Sequence, residues 1–304
     1  MLNLVYIVAP IFLIILLGKM LRNYLILSDN IWNQINALTF WVLFPCLLFN
    51  KTSVIDFEGY TVGSFSVTLI VGYLAAILFA YIICKFYGMS AASLTSVLQG
   101  AGRHNSFVAL AVASQLLGEE GEMIGSLAIA IMVSFSNIAT IILLTSILSK
   151  NKKAKPKILT EIARNPFIVA IAIGLSFNFM GWGYVPVLSD FTASVGKAAL
   201  PIALLCVGAG LQFGGARNFF VPSAIACFAK MIILPATVFA LSRYFELSAV
   251  MTTTAVIFAS VPTSSSAYAL AKYMGGDAPL MAAIISLQTM ITVVTIPLVI
   301  ILVT

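Results

Sequence analysis

Charge is what this sequence has least of. Only 9% of its 304 residues are Asp, Glu, Lys or Arg, while 61% are hydrophobic; a soluble domain carries roughly a quarter charged residues. A domain folded in water buries its apolar side chains yet keeps a polar surface, so burial alone does not strip charge from a whole chain. A bilayer does, because a charged side chain at its centre costs about 2.5–3.5 kcal/mol even on the lenient insertion scale. Histidine is scarcer still, with His104 the single one. The four cysteines, Cys46, Cys84, Cys206 and Cys227, show no paired spacing and sit in apolar stretches. They read as small buried hydrophobes, not as disulfides or metal ligands, and no metal or cofactor is expected. The ten acids, Asp29, Asp56, Glu58, Glu119, Glu120, Glu122, Glu161, Asp190, Glu246 and Asp277, fall in loops or at the ends of apolar runs. None is placed to orient His104 and Ser106, which stand two apart on one segment, so hydrolase chemistry is disfavoured.

What remains is long apolar runs. A helix crossing the hydrocarbon needs about 20 mostly apolar residues. Ten candidates follow, at about 3–22, 31–50, 62–86, 90–117, 122–149, 166–180, 191–212, 219–243, 247–273 and 278–303. The opening MLNLVYIVAPIFLIILLGKMLR has no basic leader and no small-residue cleavage site, so it reads as a retained first span. The net charge of +6 has its explanation in topology, not in nucleic acid. With the N-terminus outside, Lys19, Arg22, Lys85, Lys150, Lys152, Lys153, Lys155, Lys157, Arg164, Arg217 and Lys272 lie inside. Lys51, Lys197 and Arg243 lie outside, and Arg103 and Lys230 fall within spans. The expected chain is a multi-pass protein of the cytoplasmic (inner) membrane with both termini outside.

A basic linker, residues 150–165, opening within SKNKKAKPK at 149–157, divides the chain into residues 1–149 and 166–304, five spans each. An odd number of spans turns the second group upside down relative to the first, the inverted-repeat plan of many secondary transporters. Traces of duplication support it. SFVALA at 106–111 resembles SAYALA at 266–271; GEEG at 118–121 answers GGDA at 275–278; Pro45 answers Pro201.

The fourth and ninth spans have polar centres. One holds Gly100, Gly102, Arg103, His104, Asn105 and Ser106; the other holds Ser260, Pro262, Thr263, Ser264, Ser265 and Ser266. Pro262 removes an N–H and clashes with the preceding turn. Interrupted helix at membrane depth is tolerated only where protein or a cavity surrounds it, and paired interruptions point to a transport site. A half-helix restarting after each break aims free N–H groups at the midplane, a ready anion site. Arg103 adds a permanent charge with a planar fork suited to carboxylate; the competing reading has it hold helices together through carbonyls. Lys230, about 16 Å from either end of its span, is too deep to snorkel and must face protein. It could compensate substrate charge, stand in for a coupling cation, or cap carbonyls. His104 could carry a coupled proton or serve as a neutral hydrogen-bonding residue. Asn105, Ser264 and Ser265 could bind substrate oxygens or a sodium ion, or cap the broken helices.

With FWVLFPCLLF at 40–49, QGAGRHNSF at 99–107 and VPTSSSAYALAKYMGGD at 261–277, the chain resembles a bacterial member of the auxin efflux carrier family. That family holds plant auxin exporters and bacterial malate or malonate permeases. The resemblance implies an all-α integral membrane fold like that of bile-acid and sodium/proton carriers, with crossed discontinuous helices in spans 4 and 9. It implies a scaffold of spans 1, 2, 6 and 7, a moving bundle of spans 3–5 and 8–10, and dimers formed through the scaffold. The expected function is secondary transport of a small organic anion, auxin-like or a dicarboxylate, by an elevator-type step through Arg103, His104, Asn105, Thr263, Ser264, Ser265 and Lys230. A channel is the alternative, and would favour a continuous polar lining over several spans. Plant relatives carry a proline in the first crossing, where this chain has Gly100 and Gly102.

Overall fold

The computed structural model describes residues 2–55, 60–148, 164–211 and 219–303, which form helices joined by short turns, with no strand among them. The linker at 150–163, Arg217, Asp56, Glu58 and Glu161 lie outside the described residues. In chain order the helices are α1 (Leu2–Tyr24), α2 (Asp29–Leu38) and α3 (Phe44–Ser53), then α4 (Val62–Phe86), α5 (Ala91–Gly102) and α6 (Ser106–Leu148). The second part supplies α7 (Pro166–Phe179), α8 (Leu188–Lys197), α9 (Ala199–Ala209), α10 (Phe220–Phe228), α11 (Leu234–Tyr244), α12 (Ala249–Ser260), α13 (Ser266–Met274) and α14 (Ala278–Val303). Helix therefore occupies each of the ten apolar stretches. Among the described residues, six continuous stretches are long and apolar enough to cross a membrane: Asp29–Ser53, Val62–Phe86, Ala91–Leu148, Leu188–Ala209, Phe220–Tyr244 and Ala278–Val303. The chain is a multi-pass membrane protein. The stretch Ala91–Leu148 is interrupted at residues 103–105 and again at Gly118, whose φ of 63° is one that glycine adopts without a Cβ clash.

Two helices contain a π-turn, and proline explains each. Pro45 and Pro235 have no N–H to return to the carbonyl four residues back. In the turns before them, Thr39–Leu43 and Ala229–Ile233, the helix widens, so that Phe44 N–H reaches Thr39 O and Leu234 N–H reaches Ala229 O. Lys230 sits in the second of these turns.

Glycine sets the closest helix contacts, as is common where lipid provides no hydrophobic force between helices. In the α1–α9 pair, a methyl on Gly18 would strike the Leu205 carbonyl and one on Gly208 the Ile15 carbonyl. Gly174 of α7 packs on Thr52 of α3, and Gly196 of α8 on the backbone of Leu47. A second set of contacts joins α4 to α5 and α11, and α12 to α6, α11 and α14.

The contacts also fix the two ends of the molecule. Arg22 pairs with Asp29; Asp277 N–H meets Ala92 O at 3.2 Å, beside the end of α13. These place Arg22, Lys85, Lys272 and, through α7, Arg164 at one end, the basic end. Lys51, which pairs with Glu122, and Arg243 lie at the other. Lys197 departs from the sequence expectation. It closes α8 as the tenth residue of the continuous stretch Leu188–Ala209, well inside that stretch, because the helix begins at Leu188 and not at residue 191.

Candidate functional site

Two short helices approach the centre from opposite ends and stop there. Both α5 and α12 are 12 residues long, and both start on a serine: Ser90 Oγ accepts from Ser93 N–H at 3.2 Å, and Ser248 Oγ from Met251 N–H at 3.3 Å. Both run into extended backbone, at Arg103 (ψ 149°) and Val261 (ψ 157°). Pro262 lies in the second break. Gly100 and Gly102 were expected at the first break, but α5 stays helical through Gly102. The two glycines act instead by close approach: a Cβ on Gly102 would lie 2.6 Å from the Tyr73 ring, and one on Gly100 2.7 Å from Ile284.

The two breaks are stitched to each other. Asn105 N–H donates to Pro262 O at 2.8 Å. Gln288 of α14, fully buried, inserts its amide between the two broken segments: Nε2 donates to Gly100 O at 2.9 Å and Oε1 accepts from Thr263 N–H at 2.9 Å. The Thr263 hydroxyl lies 2.9 Å from Gly100 O and 2.8 Å from Gln288 Oε1. Backbone groups released by the breaks thus find partners inside the protein, as hydrocarbon surroundings require. The chain then restarts as helix. Asn105 Oδ1 caps α6 by accepting from Phe107 and Val108 N–H at 3.1 and 3.2 Å. Ser264 Oγ meets Ser266 Oγ at 3.0 Å ahead of α13. Both restarts turn the positive ends of helices toward the crossing.

A cavity of about 210 Å³ opens at this place, lined by Arg103, His104, Asn105, Ser264 and Ser265, with Ser266 beside them. Arg103 Nη2 donates to Ser266 Oγ at 2.9 Å, and its Nε is buried without a hydrogen-bond partner. No carboxylate pairs with Arg103 among the described residues; Asp29 pairs with Arg22 and Glu122 with Lys51. His104 is 5% exposed, packs on the Phe258 ring at 5.9 Å, and neither ring nitrogen is hydrogen-bonded. The hydrogen-bonding role considered for it has no partner here. The cavity therefore presents a cation, an amide, hydroxyls and two helix N-termini, with no opposing acid. It can hold an anion.

Five of the seven residues proposed from sequence come together in that lining. Thr263 does not; it is fully buried and committed to Gly100 and Gln288. Lys230 is fully buried with Nζ unpartnered, away from the cavity lining, on a π-turn packed against α4, α5 and α12. The sequence reading also missed residues. Asn36, Asn137 and Asn165 line the cavity from α2, α6 and the cap of α7, and Gln288 clamps the crossing. Gln288 had a signal: it is the one amide in the 26-residue apolar run of α14. Asn137, in the middle of the fifth span, had the same signal; Asn36 and Asn165 had none, since polar residues near span ends are ordinary.

Comparison with known proteins agrees with this geometry. Residues 4–300 match the profile of the family described as membrane transport protein. An uncharacterized transporter of Methanocaldococcus jannaschii is 24% identical over 306 residues, 96% of each chain. An uncharacterized transporter of Methanothermobacter thermautotrophicus is 22% identical over 96% of this chain and 95% of its own. A Rhizobium meliloti protein whose name provisionally assigns it malonate transport is 22% identical over 95% of this chain and 92% of its own. A chain matched almost end to end by this profile belongs to the membrane transport protein family, the family of the auxin efflux carriers.

Proposed function

We propose that this transporter carries a small organic anion across the cytoplasmic membrane by alternating access, with Arg103 as the group that receives the carboxylate. One observation carries the reading: Arg103 lines a central cavity with its Nε buried and unpartnered and, among the described residues, no carboxylate against it. An arginine held away from bulk water needs a negative partner, and here the cargo supplies it. Asn105, Ser264 and Ser265 offer hydrogen bonds to the remaining oxygens. The name of the Rhizobium relative makes a dicarboxylate a natural first candidate.

The matched pair α5 and α12 supports two inverted five-span repeats, and with them ten spans. The helices of spans 1, 2, 6 and 7, namely α1, α2, α3, α7, α8 and α9, then serve as scaffold, against which the remaining helices move as an elevator. The bias of basic residues toward the Arg22 end supports a cytoplasmic position for that end, with both termini outside. Thr263 is reassigned from substrate contact to holding the crossing, and Lys230 to a charge behind it. A proton or a sodium ion remains open as the coupling species.

A thermal-shift screen of purified protein against mono- and dicarboxylates, matched neutral amides, and varied sodium and pH tests this. Carboxylates should stabilise and their amides should not, and Arg103→Ala should remove the effect in a folded protein. Stabilisation by amides as strong as by carboxylates would contradict the anion reading.

A further inference from the structure

The central cavity continues toward one end of the molecule. Two larger cavities adjoin it. One, of about 740 Å³, runs from Arg103 and Ser266 to Arg164. The other, of about 530 Å³, runs from Ser265 and Ser266 to Arg22 and Lys272. Both reach the basic end. In the opposite direction the path meets packed side chains. Phe44, fully buried, lies against Phe107 with ring centroids 4.5 Å apart and against Phe167 at 5.3 Å. Phe44, Leu48 and Lys51 stand at i, i+4 and i+7, so they share one face of α3. At the far end of that face Lys51 Nζ lies 3.1 Å from Glu122 Oε2 of α6, and the two side chains are 23% and 15% exposed.

This pair differs from the contacts beneath it. Aromatic surfaces slide and repack at small cost, whereas an ion pair of fixed partners exists in one register and vanishes in others. Lys51 belongs to the helices packed through glycine, and Glu122 to α6 just past its interruption at Gly118, in the set of helices that carries the crossing, so the pair joins the two sets. An interaction made in one conformation only shifts the balance between conformations by its full differential strength.

We propose that Lys51 and Glu122 form a latch that keeps the crossing shut at the end opposite the basic one, and that the latch breaks each time the site opens there. The proposal rests on the alternating-access reading above. The structure is then the state open at the basic end. Removing the latch should favour the opposite state roughly five-fold, as expected for a partly exposed pair.

The reporter is the Leu48→Cys protein, with the four native cysteines replaced by alanine, labelled in vesicles by a membrane-impermeant maleimide added at the Lys51 end. Leu48 is fully buried beneath the latch. Lys51→Met and Glu122→Gln should each raise the labelling rate roughly five-fold. Lys51→Arg, and the charge-exchanged pair Lys51→Glu with Glu122→Lys, should bring it back to the parent rate. Unchanged labelling in both neutralised variants, or equal acceleration in the charge-exchanged protein, overturns the latch. Labelling requires no substrate, so a failed latch and a failed anion assignment are told apart.

Discussion

Replacing Gln288 by leucine tests whether the crossing is held from α14. The side chain is 0% exposed, and its amide serves both broken segments of the crossing. Leucine fills similar space and offers no polar atom. The Gly100 carbonyl would keep the Thr263 hydroxyl at 2.9 Å, so its loss is partial. The Thr263 N–H, whose acceptor is Gln288 Oε1, would be stranded. A stranded buried N–H costs about 1–3 kcal/mol. Taking about 2 kcal/mol, and about 2 °C per kcal/mol for a chain of this size, the melting temperature should fall by about 4 °C. The assay is thermal unfolding in one detergent, with Thr292→Val as control. That hydroxyl donates within its own helix, to Thr289 O at 2.9 Å, and its loss should cost under about 1 kcal/mol. Thr263→Val combined with Gln288→Leu should cost less than the sum of the two, because they share partners. A Gln288→Leu protein that melts with the control would refute the clamp.

Asn105→Asp should keep the cap on α6, since a carboxylate accepts the same two N–H groups, while placing a negative charge beside Arg103. The melting temperature should hold and carboxylate affinity should fall at least about ten-fold by calorimetry; undiminished affinity would place the anion elsewhere. Lys230→Met replaces a buried, unpartnered cation by an apolar chain of similar length, so unfolding temperature should stay level or rise. A marked fall would assign Lys230 to holding helices together. Gly208→Ala puts a methyl into the Ile15 backbone, which cannot step aside as a side chain can, and overpacking of this kind costs about 1–3 kcal/mol. The yield of monodisperse protein should drop, whereas Gly63→Ala, which meets nothing, should be neutral.

The fold was legible where physics acts on composition over long runs. The stretch 62–86 is readable to the residue because apolarity, Thr61 before it and Tyr87–Gly88 after it agree. The breaks at spans 4 and 9 were legible because polar residues at membrane depth have few other uses. Their chemistry was less so. Thr263 looks like Ser264 and Ser265 in the sequence, yet one turns inward to Gln288 and the others face the cavity. Which one turns is set by Gln288, 25 residues away in the chain. Lys197 was misplaced because an amphipathic first half, LSDFTASVGK, hides the start of a helix. Gly100 and Gly102 were read as breakers, but their missing side chains make room for Ile284 and Tyr73, contacts that only packing reveals.

The central claim is that the guanidinium at the crossing waits for a negative charge from outside the chain. Isothermal titration of the purified protein with a carboxylate found in the thermal screen, beside Arg103→Gln and Arg103→Lys, tests it most directly. The account predicts that Arg103→Gln loses binding, that Arg103→Lys retains a weakened fraction of it because the charge survives without the fork, and that all three proteins remain folded. Equal affinity in the wild-type and Arg103→Gln proteins would contradict it.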